Sequence, residues 1–311
     1  MSHLLPRYYR LSPEVVQALE ISAPVVALES TVITHGLPFP ENLKLAQDME
    51  AEIRQQGAIP ATIAILDGLV QVGLTGEQLE RLAREANLRK VSPRDLAGLI
   101  LKRESGGTTV AGTIFLAEKA GIRVFATGGI GGVHRQSDMD ISADLPQLAN
   151  TPLIVVCAGA KAILDLAATL EYLETSGVPV VGYQTDEFPA FYSHTSGLPV
   201  SVRVDNPEAV IRLAKAHWEM GMNSAILLTV PPPVEVALSN SEIEAAINQA
   251  LEEASIENIH GQAVTPFLLR RVSELTGGAS LRANLGLLRN NAKVAAQIAS
   301  QLSHGAIRMV A

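Results

Sequence analysis

The feature that most constrains the fold of this chain is a series of short apolar runs that do not alternate with polar residues. Strands with one solvated face alternate apolar and polar residues, whereas continuous apolar runs are typical of parallel strands covered on both faces. Most of these runs are separated by helix-length segments. The sequence therefore predicts an α/β fold in which a central, mostly parallel sheet lies between two helical layers (three-layer α/β/α). In chain order the runs read PVVALES, ATIAILDG, IRVFATGG, LIVVCAGA, VPVVGYQT, PVSVRVD and SAILLTVP.

Several of the predicted helices carry start signals, such as Ser12 before Pro13 and a capping box from Thr75 to Gln78. No linker rich in Pro, Gly or Ser and no internal repeat divides the chain. We therefore expect one domain over 1–311, long enough and, at 47% hydrophobic residues, apolar enough to bury a large core. Its parts are an N-terminal helix and arm (1–20), a sheet-forming core (21–230) and a mainly helical C-terminal part (231–311).

The net charge, the single cysteine and the lack of targeting patterns limit the partners and the cellular location that we expect. The formal net charge of −8 argues against general electrostatic attraction to nucleic acid or to an anionic membrane. The single cysteine, Cys157, lies inside the run IVVCA and is predicted to be a small buried residue rather than a nucleophile. The chain has no apolar run of about 18 residues and no basic-then-apolar signal pattern, which predicts a cytoplasmic protein.

Two loops are rich in groups that bind ions. The glycine loop FATGGIGGVHR fits neither a dinucleotide fingerprint nor a P-loop, so it indicates either an anion-binding loop or a tight turn. The stretch SDMDISADL places Asp138, Asp140 and Asp144 around Ser142 but lacks the glycine and glutamate of a calcium loop. It predicts either a site for a hard cation such as Mg²⁺ or Mn²⁺, or a solvated acidic loop.

Polar residues also follow the predicted strands, where ligands bind in α/β sheets. Glu29 comes directly after the first run, in the stretch LESTVITHG, and is either a catalytic acid or the cap of a turn. Lys90 precedes the helix start at Ser92 and is either a phosphate ligand or an ordinary surface lysine. The stretch SGGTTVAGT adds backbone donors and hydroxyls at a further strand or helix start.

Lys161 follows the run LIVVC and lies between Ala160 and Ala162. Loss of hydration at such a place lowers the pKa of an amine toward the neutral, nucleophilic form, which suits formation of a Schiff base. The alternative is a lysine that extends to solvent from the first turn of a helix AILDLAATLEYLE.

Nine segments, in this order, carry a resemblance to a known family. They are VALESTVITHGLPFPENL, GAIPATIAILDG, KVSPRDL, GGTTVAGT, VFATGGIGGVHR, DISADL, VVCAGAKAILDLAATLEYLE, GVPVVGYQTDEFPAF and TPFLLRRVSELTGG. Together they resemble the pseudouridine-5′-phosphate glycosidases, a family that includes indigoidine synthase A-like proteins, over about Pro24 to about Ala292. The segment RQSDMD departs from the family pattern.

The resemblance implies an enzyme that reversibly converts pseudouridine 5′-phosphate and water to uracil and ribose 5-phosphate, with Mn²⁺ and a homotrimeric assembly. It implies that Lys161 forms a Schiff base with ring-opened ribose, Glu29 donates protons and Asp140 binds the metal. Asn284 would read the uracil edge; the alternative for this residue is a polar position on the exposed side of a C-terminal helix. The implied contacts to the sugar phosphate are Lys90, Thr109, Val110, His134, Ser142, Ala143 and Asp144.

Two other functions fit the same residues. One is a different Schiff-base or metal-assisted enzyme of sugar phosphates, such as an aldolase-like lyase or an indigoidine-pathway relative. The other is a non-catalytic protein that binds a sugar phosphate. The second alternative does not need an amine, an acid and a metal carboxylate together at strand ends.

Overall fold

The computed structural model describes residues 5–135, 140–259 and 264–307. Its strands are β1 (Tyr9–Leu11), β2 (Val25–Leu28), β3 (Ile59–Leu66), β4 (Leu69–Val72), β5 (Arg89–Val91), β6 (Gly106–Thr108), β7 (Val124–Ala126), β8 (Val133–His134), β9 (Ile154–Cys157), β10 (Leu164–Asp165), β11 (Val180–Tyr183), β12 (Val202–Val204) and β13 (Ile226–Thr229).

The helices connect and cover these strands. They are α1 (Pro13–Glu20), α2 (Thr31–Thr34), α3 (Glu41–Gln55), α4 (Gly76–Arg84), α5 (Leu96–Lys102), α6 (Val110–Lys119), α7 (Asp144–Ala149), α8 (Leu166–Thr175), α9 (Pro207–Glu219), α10 (Asn240–Ile256), α11 (Val264–Leu275) and α12 (Ala279–Ile307). No helix in the described parts of the chain is long and apolar enough to cross a lipid bilayer.

Most of the described strands form one sheet with the order β1-β4-β3-β2-β7-β9-β13-β11-β12, to which β6 adds beside β3 and β5 beside β6. From β3 to β12 every neighbouring pair along this order is parallel. The pairs of β3 with β4 and with β6 are antiparallel. The predicted α/β fold with a mostly parallel central sheet is confirmed.

The central strands are buried as the continuous apolar runs predict. All four residues of β2 are buried, and this strand packs against both α6 and α12. The long C-terminal helix α12 also packs against β7, β9 and α3, so the C-terminal part shares its core with the sheet. Cys157 is fully buried at the end of β9, and burial raises the pKa of its thiol to about 12. Its predicted place as a small core residue is confirmed.

The structure corrects several details of the secondary-structure prediction. The segment 1–20 contributes the edge strand β1 as well as a helix, and β4, β5, β6, β8 and β10 were not predicted as strands. These strands have two to four residues each, too few to show a period in the sequence. The helix expected directly after Lys161 begins only at Leu166, because β10 intervenes and Asp165 caps the helix.

Candidate active site

Three neighbouring strands bring an acid, a hydroxyl and an amine to one edge of the sheet. Glu29 follows β2, Thr127 follows β7 and Lys161 lies in the turn beyond β9. Because β2, β7 and β9 are adjacent and parallel, their carboxyl ends meet at this edge. The Lys161 main chain is held there, since its N–H donates to the Ile130 carbonyl at 3.0 Å.

A cavity at this edge has two compartments, both of which are lined by Glu29, Thr31, Lys90 and Lys161. The larger, which we call the polar compartment, has a volume of about 510 Å³. The smaller, which we call the apolar compartment, has a volume of about 60 Å³. The polar compartment is further lined by Ser92, Arg94, Thr109, Val110, Gly131, His134, Asp140, Ile141, Ser142, Ala143, Asp144, Pro146, Leu164 and Tyr172. The apolar compartment is further lined by Val32, His35, Gly36, Thr127, Gly128, Gly129, Phe191, Leu269, Asn284 and Leu288.

Glu29 is a buried carboxyl group, only 8% exposed, that lies where the compartments meet. Burial raises the pKa of Glu29 above 4.5, and the positive charge of Lys161 and the hydrogen bond from Thr127 oppose this effect. A carboxyl group with a raised pKa holds its proton closer to neutral pH. Glu29 therefore has the electrostatic setting of a general acid.

The same surroundings lower the pKa values of two further basic groups, Lys90 and His35. Burial lowers the pKa of Lys90, and the charge of Lys161 lowers it further. Burial also lowers the pKa of His35, with a contribution from Lys90. The His35 ring is fixed by a 2.7 Å hydrogen bond between Nδ1 and the Thr34 hydroxyl. Both shifts act toward the neutral forms of these two groups.

The glycine loop between β7 and β8 is fastened by Asp144. One Asp144 carboxylate oxygen accepts from the Gly131 N–H at 2.7 Å, and the other accepts from the Ala111 N–H at 2.8 Å. A Cβ atom at Gly131 would lie 2.2 Å from the Ser142 Oγ, so only glycine fits there. Asp144 is itself buried. Its carboxylate therefore joins the glycine loop to the start of α6.

The start of α6 faces the polar compartment beside Lys90. Thr109 caps this helix, because its Oγ1 accepts from the Gly112 N–H at 3.1 Å. The Ser92 and Thr109 hydroxyls are 3.2 Å apart. A helix N-terminus, two hydroxyl groups and the amine of Lys90 form a surface that suits a phosphate group. Arg94, which the sequence reasoning did not single out, adds a guanidinium group to the same compartment.

Asp140 also lines the polar compartment, and its side chain is 55% exposed. Its Oδ2 lies 3.9 Å from the His134 Nδ1. Within the described ranges, no group of three or more His, Cys, Asp or Glu side chains comes together as a metal site. A hard cation that keeps several water ligands can bind through one carboxylate, so Asp140 fits such a cation. Asp138, the other predicted acidic residue of this loop, lies outside the described residues.

Asn284 lies on α12, and its half-buried side chain lines the apolar compartment rather than facing solvent. Phe191 lines the same compartment, next to Gly129 of the glycine loop. An amide among apolar walls can orient a flat polar ring through a donor and an acceptor.

Apart from Asp138, which lies outside the described residues, the structure brings the predicted site residues to the two compartments. Glu29, Lys90 and Lys161 line both, Asn284 lines the apolar one, and the remainder line the polar one. Their individual roles stay predictions. Sequence reasoning did not single out Thr127 or Phe191. Thr127 had a usable signal, since its hydroxyl stands at the carboxyl end of the predicted strand IRVFATGG. Phe191 ends the family-like segment GVPVVGYQTDEFPAF, but it lies outside the predicted helices and strands, so no local pattern assigned it to the site.

Comparison with known proteins gives one consistent result. The family described as "Indigoidine synthase A like protein" matches residues 14–301. A pseudouridine-5′-phosphate glycosidase of Geobacillus kaustophilus (strain HTA426) is 54% identical, covering 94% of this chain and 98% of its own length. The enzyme of the same name from Escherichia coli (strain K12) is 52% identical, covering 95% of this chain and 96% of its own length.

Two solved structures are similar over nearly the whole chain. A prealnumycin C-glycosynthase in complex with ribulose 5-phosphate has a TM-score of 0.90 and 42% identity, covering 97% of this chain and 99% of its own. An indigoidine synthase A-like protein of Thermotoga maritima has a TM-score of 0.89 and 36% identity, covering 97% of this chain and 100% of its own.

Proposed function

This chain belongs to the family of indigoidine synthase A-like proteins, and from that premise we propose that it is a pseudouridine-5′-phosphate glycosidase. The enzyme splits pseudouridine 5′-phosphate with water into uracil and ribose 5-phosphate, and it also catalyses the reverse reaction. The observation that carries the proposal is the position of the Lys161 amine and the Glu29 carboxyl group at the junction of a polar and an apolar compartment. Curated relatives of this activity that are about half identical support it.

The bond to be broken determines the chemistry. Pseudouridine joins C1′ of ribose to C5 of uracil, so the leaving group is a carbon atom rather than an oxygen. A pair of carboxyl groups that protonates a leaving oxygen, as in most glycosidases, does not suffice. A covalent adduct with an amine divides the reaction into easier steps.

In the first step Glu29 gives its proton to the ring oxygen as the C1′–O4′ bond breaks, and the Lys161 amine forms a bond to C1′. The proton released by the amine returns to Glu29. In the second step the C1′–C5 bond breaks, the electron pair stays on uracil C5, and Glu29 protonates that carbon. The nitrogen lone pair forms the iminium with C1′. Water then hydrolyses the iminium, which frees ribose 5-phosphate and the lysine.

The charges around the junction support these roles. The raised pKa of Glu29, caused first by burial, favours the protonated acid that the first step requires. The Thr127 hydroxyl stabilises the carboxylate that is left after proton transfer, and so does the positive charge that the Lys161 nitrogen carries once it has bonded to C1′. Thr127 and Lys161 thus keep the carboxyl group able both to give and to take a proton.

The polar compartment suits the sugar phosphate. We assign the phosphate and sugar contacts to the start of α6 at Thr109 and Val110, to Lys90 and His134, and to the segment 142–144. The Asp144 side chain acts through the main chain that it fastens, since both of its carboxylate oxygens accept from backbone N–H groups. Asn284 is assigned to the uracil edge in the apolar compartment.

A divalent cation, which we propose is Mn²⁺, would be held by Asp140 together with water. When bound, it supplies positive charge for the oxygen atoms of the sugar phosphate. Asp140 lies at the opening of the polar compartment, where a hydrated ion can approach.

The assembly and location also belong to the proposal. We propose a homotrimer, as the family resemblance implies, that is located in the cytoplasm. Light scattering should then give a mass of about three times the 33.0 kDa of one chain. Fractionation of cells that produce the protein tests the location.

The decisive experiment is incubation of the purified protein with pseudouridine 5′-phosphate and Mn²⁺, followed by chromatography. Free uracil and ribose 5-phosphate are the expected products. A different Schiff-base lyase would leave pseudouridine 5′-phosphate intact while cleaving another sugar phosphate. A protein that only binds the sugar phosphate would release no uracil, and borohydride would fix no adduct with ribose 5-phosphate.

A further inference from the structure

Phe191 has an unusual backbone conformation beside the site. Its φ angle is 63°, in the left-handed region that bulky side chains rarely adopt. Residues are held in such conformations when the surrounding structure requires them, and they concentrate at functional sites. Phe191 is only 3% exposed, and it lines the apolar compartment.

The ring of Phe191 lies directly on the glycine loop. A Cβ atom at Gly129 would be 2.6 Å from Cε2 of this ring, so the ring occupies the space that any larger residue would need. The neighbouring Tyr192 ring packs against it edge-on, with centroids 4.7 Å apart. The Phe191 ring is therefore held as a rigid wall.

The main chain around Phe191 is fixed to the segment that carries Lys161. The Phe191 N–H donates to the Ala158 carbonyl at 3.1 Å. A Cβ atom at Gly159 would lie 2.4 Å from the Pro189 carbonyl oxygen, so these two segments touch through their backbones. The wall and the lysine thus belong to one rigid unit.

The chemistry of the proposed function places the uracil base on the side of Lys161 that borders the apolar compartment. The bond that breaks joins C1′, which Lys161 attacks, to uracil. With the sugar phosphate in the polar compartment, the uracil ring extends into the apolar compartment, which also borders Lys161. Flat bases gain binding energy by packing on rigid aromatic rings.

We propose that Phe191 forms the wall against which the uracil ring packs, and that it thereby selects for flat bases of that size. This inference rests on the proposed function. It assigns a specificity role to a residue whose left-handed backbone conformation is otherwise costly.

The synthetic direction tests the assignment, because KM for uracil and KM for ribose 5-phosphate can be measured separately. Phe191→Leu keeps an apolar side chain but removes the flat ring. It should raise KM for uracil about ten-fold, in the range of one lost stacking contact, and leave KM for ribose 5-phosphate within about two-fold. The borohydride-fixed adduct with ribose 5-phosphate should form as before.

Two additional variants separate a specificity role from a structural one. Phe191→Gly suits the positive φ angle, so it should fold and give the same selective rise. Phe188→Leu changes a fully buried ring of the same segment that lines neither compartment, and it should lower Tm without changing the ratio of the two KM values.

An unchanged KM for uracil in both Phe191 variants would overturn the assignment, as would an equal rise of both KM values. The same selective effect in Phe188→Leu would also overturn it. Absence of any synthesis by the unchanged protein contradicts the proposed function itself, and the assignment of Phe191 with it. The two failures are therefore distinguishable.

Discussion

The hydroxyl of Thr127 donates a hydrogen bond to a carboxylate oxygen of Glu29 in the interior of the protein. Thr127 is fully buried, and its own carbonyl accepts from the Asn291 side-chain amide on α12 at 2.9 Å. Glu29, which follows β2, is thus oriented by Thr127 at the end of the neighbouring strand β7. The end of β7 is in turn held by Asn291 of the C-terminal helix α12. A buried partner of this kind fixes the direction in which the carboxyl group transfers its proton.

Thr127→Val removes this hydrogen bond and keeps the shape of the side chain. Because the bond lowers the pKa of Glu29, its loss should raise that pKa further and shift the limb of the pH profile that Glu29 controls to higher pH. We expect kcat to fall about ten-fold, in keeping with a lost hydrogen bond to a charged group, with KM little changed. Thr127→Ser keeps the hydroxyl and should retain most activity. An unchanged pH profile in the valine variant would count against this relationship.

Lys161→Ala should abolish both turnover and the borohydride-fixed adduct with ribose 5-phosphate, because in the proposed mechanism this amine supplies the bond to C1′. Lys161→Arg keeps a positive charge without a nucleophilic amine, so it should fail in the same way. Lys44→Ala alters a lysine whose side chain is 73% exposed on α3 and should behave as the unchanged protein. Mass spectrometry locates the adduct, and an adduct at another lysine would remove Lys161 from the mechanism.

Glu29→Gln should change the pH dependence of stability. Burial raises the folded-state pKa of Glu29 above 4.5, so the folded protein binds this proton more tightly than the unfolded chain. The stability that this contributes is fully present below pH 4.5 and is lost as the pH rises through the raised pKa. Relative to the variant, the free energy of unfolding of the unchanged protein should therefore fall over that window in urea titrations.

The same variant should slow the chemical step by about 10² to 10⁴-fold, the usual range for a positioned acid. Glu50→Gln is the matched control. Burial also raises the pKa of Glu50, which accepts from the Thr62 hydroxyl at 2.6 Å and lines neither compartment. It should show a similar stability trend with unchanged kcat. A loss of substrate affinity alone in Glu29→Gln would exclude proton transfer by this residue.

Asp140→Asn should weaken Mn²⁺ binding by at least about ten-fold, since even groups that only orient a metal ligand contribute that much. Electron paramagnetic resonance of free Mn²⁺ measures this binding without reference to activity. Asp186→Asn changes a carboxylate that is 76% exposed and paired with Arg203, and it should leave Mn²⁺ binding unchanged. Equal Mn²⁺ affinity in the unchanged protein and in Asp140→Asn would place the metal elsewhere.

Much of the fold follows from local patterns in the chain. The continuous apolar runs predicted the buried strands β2, β3, β7, β9, β11 and β13, and the capping box at Thr75 predicted the start of α4. The run PVSVRVD, in which apolar and polar residues alternate, forms the edge strand β12, two of whose three residues are exposed. Several short strands escaped prediction, since a strand such as Gly106–Thr108 is defined by its partner Ala64–Ile65 and not by a period of its own. Its place in the sheet depends on contacts between residues that are far apart in sequence.

The sequence by itself determined the central parallel sheet and the set of residues predicted to form the site, because apolar runs and motif order are local properties of the chain. Only the tertiary structure decided that Glu29 is buried beside Thr127, that Asp144 fastens the glycine loop, and that Phe191 forms a wall next to Lys161. These relationships arise between segments that meet through sheet order and packing. The pKa of a buried acid and the contacts of a backbone under strain depend on that packing, which no single stretch of sequence contains.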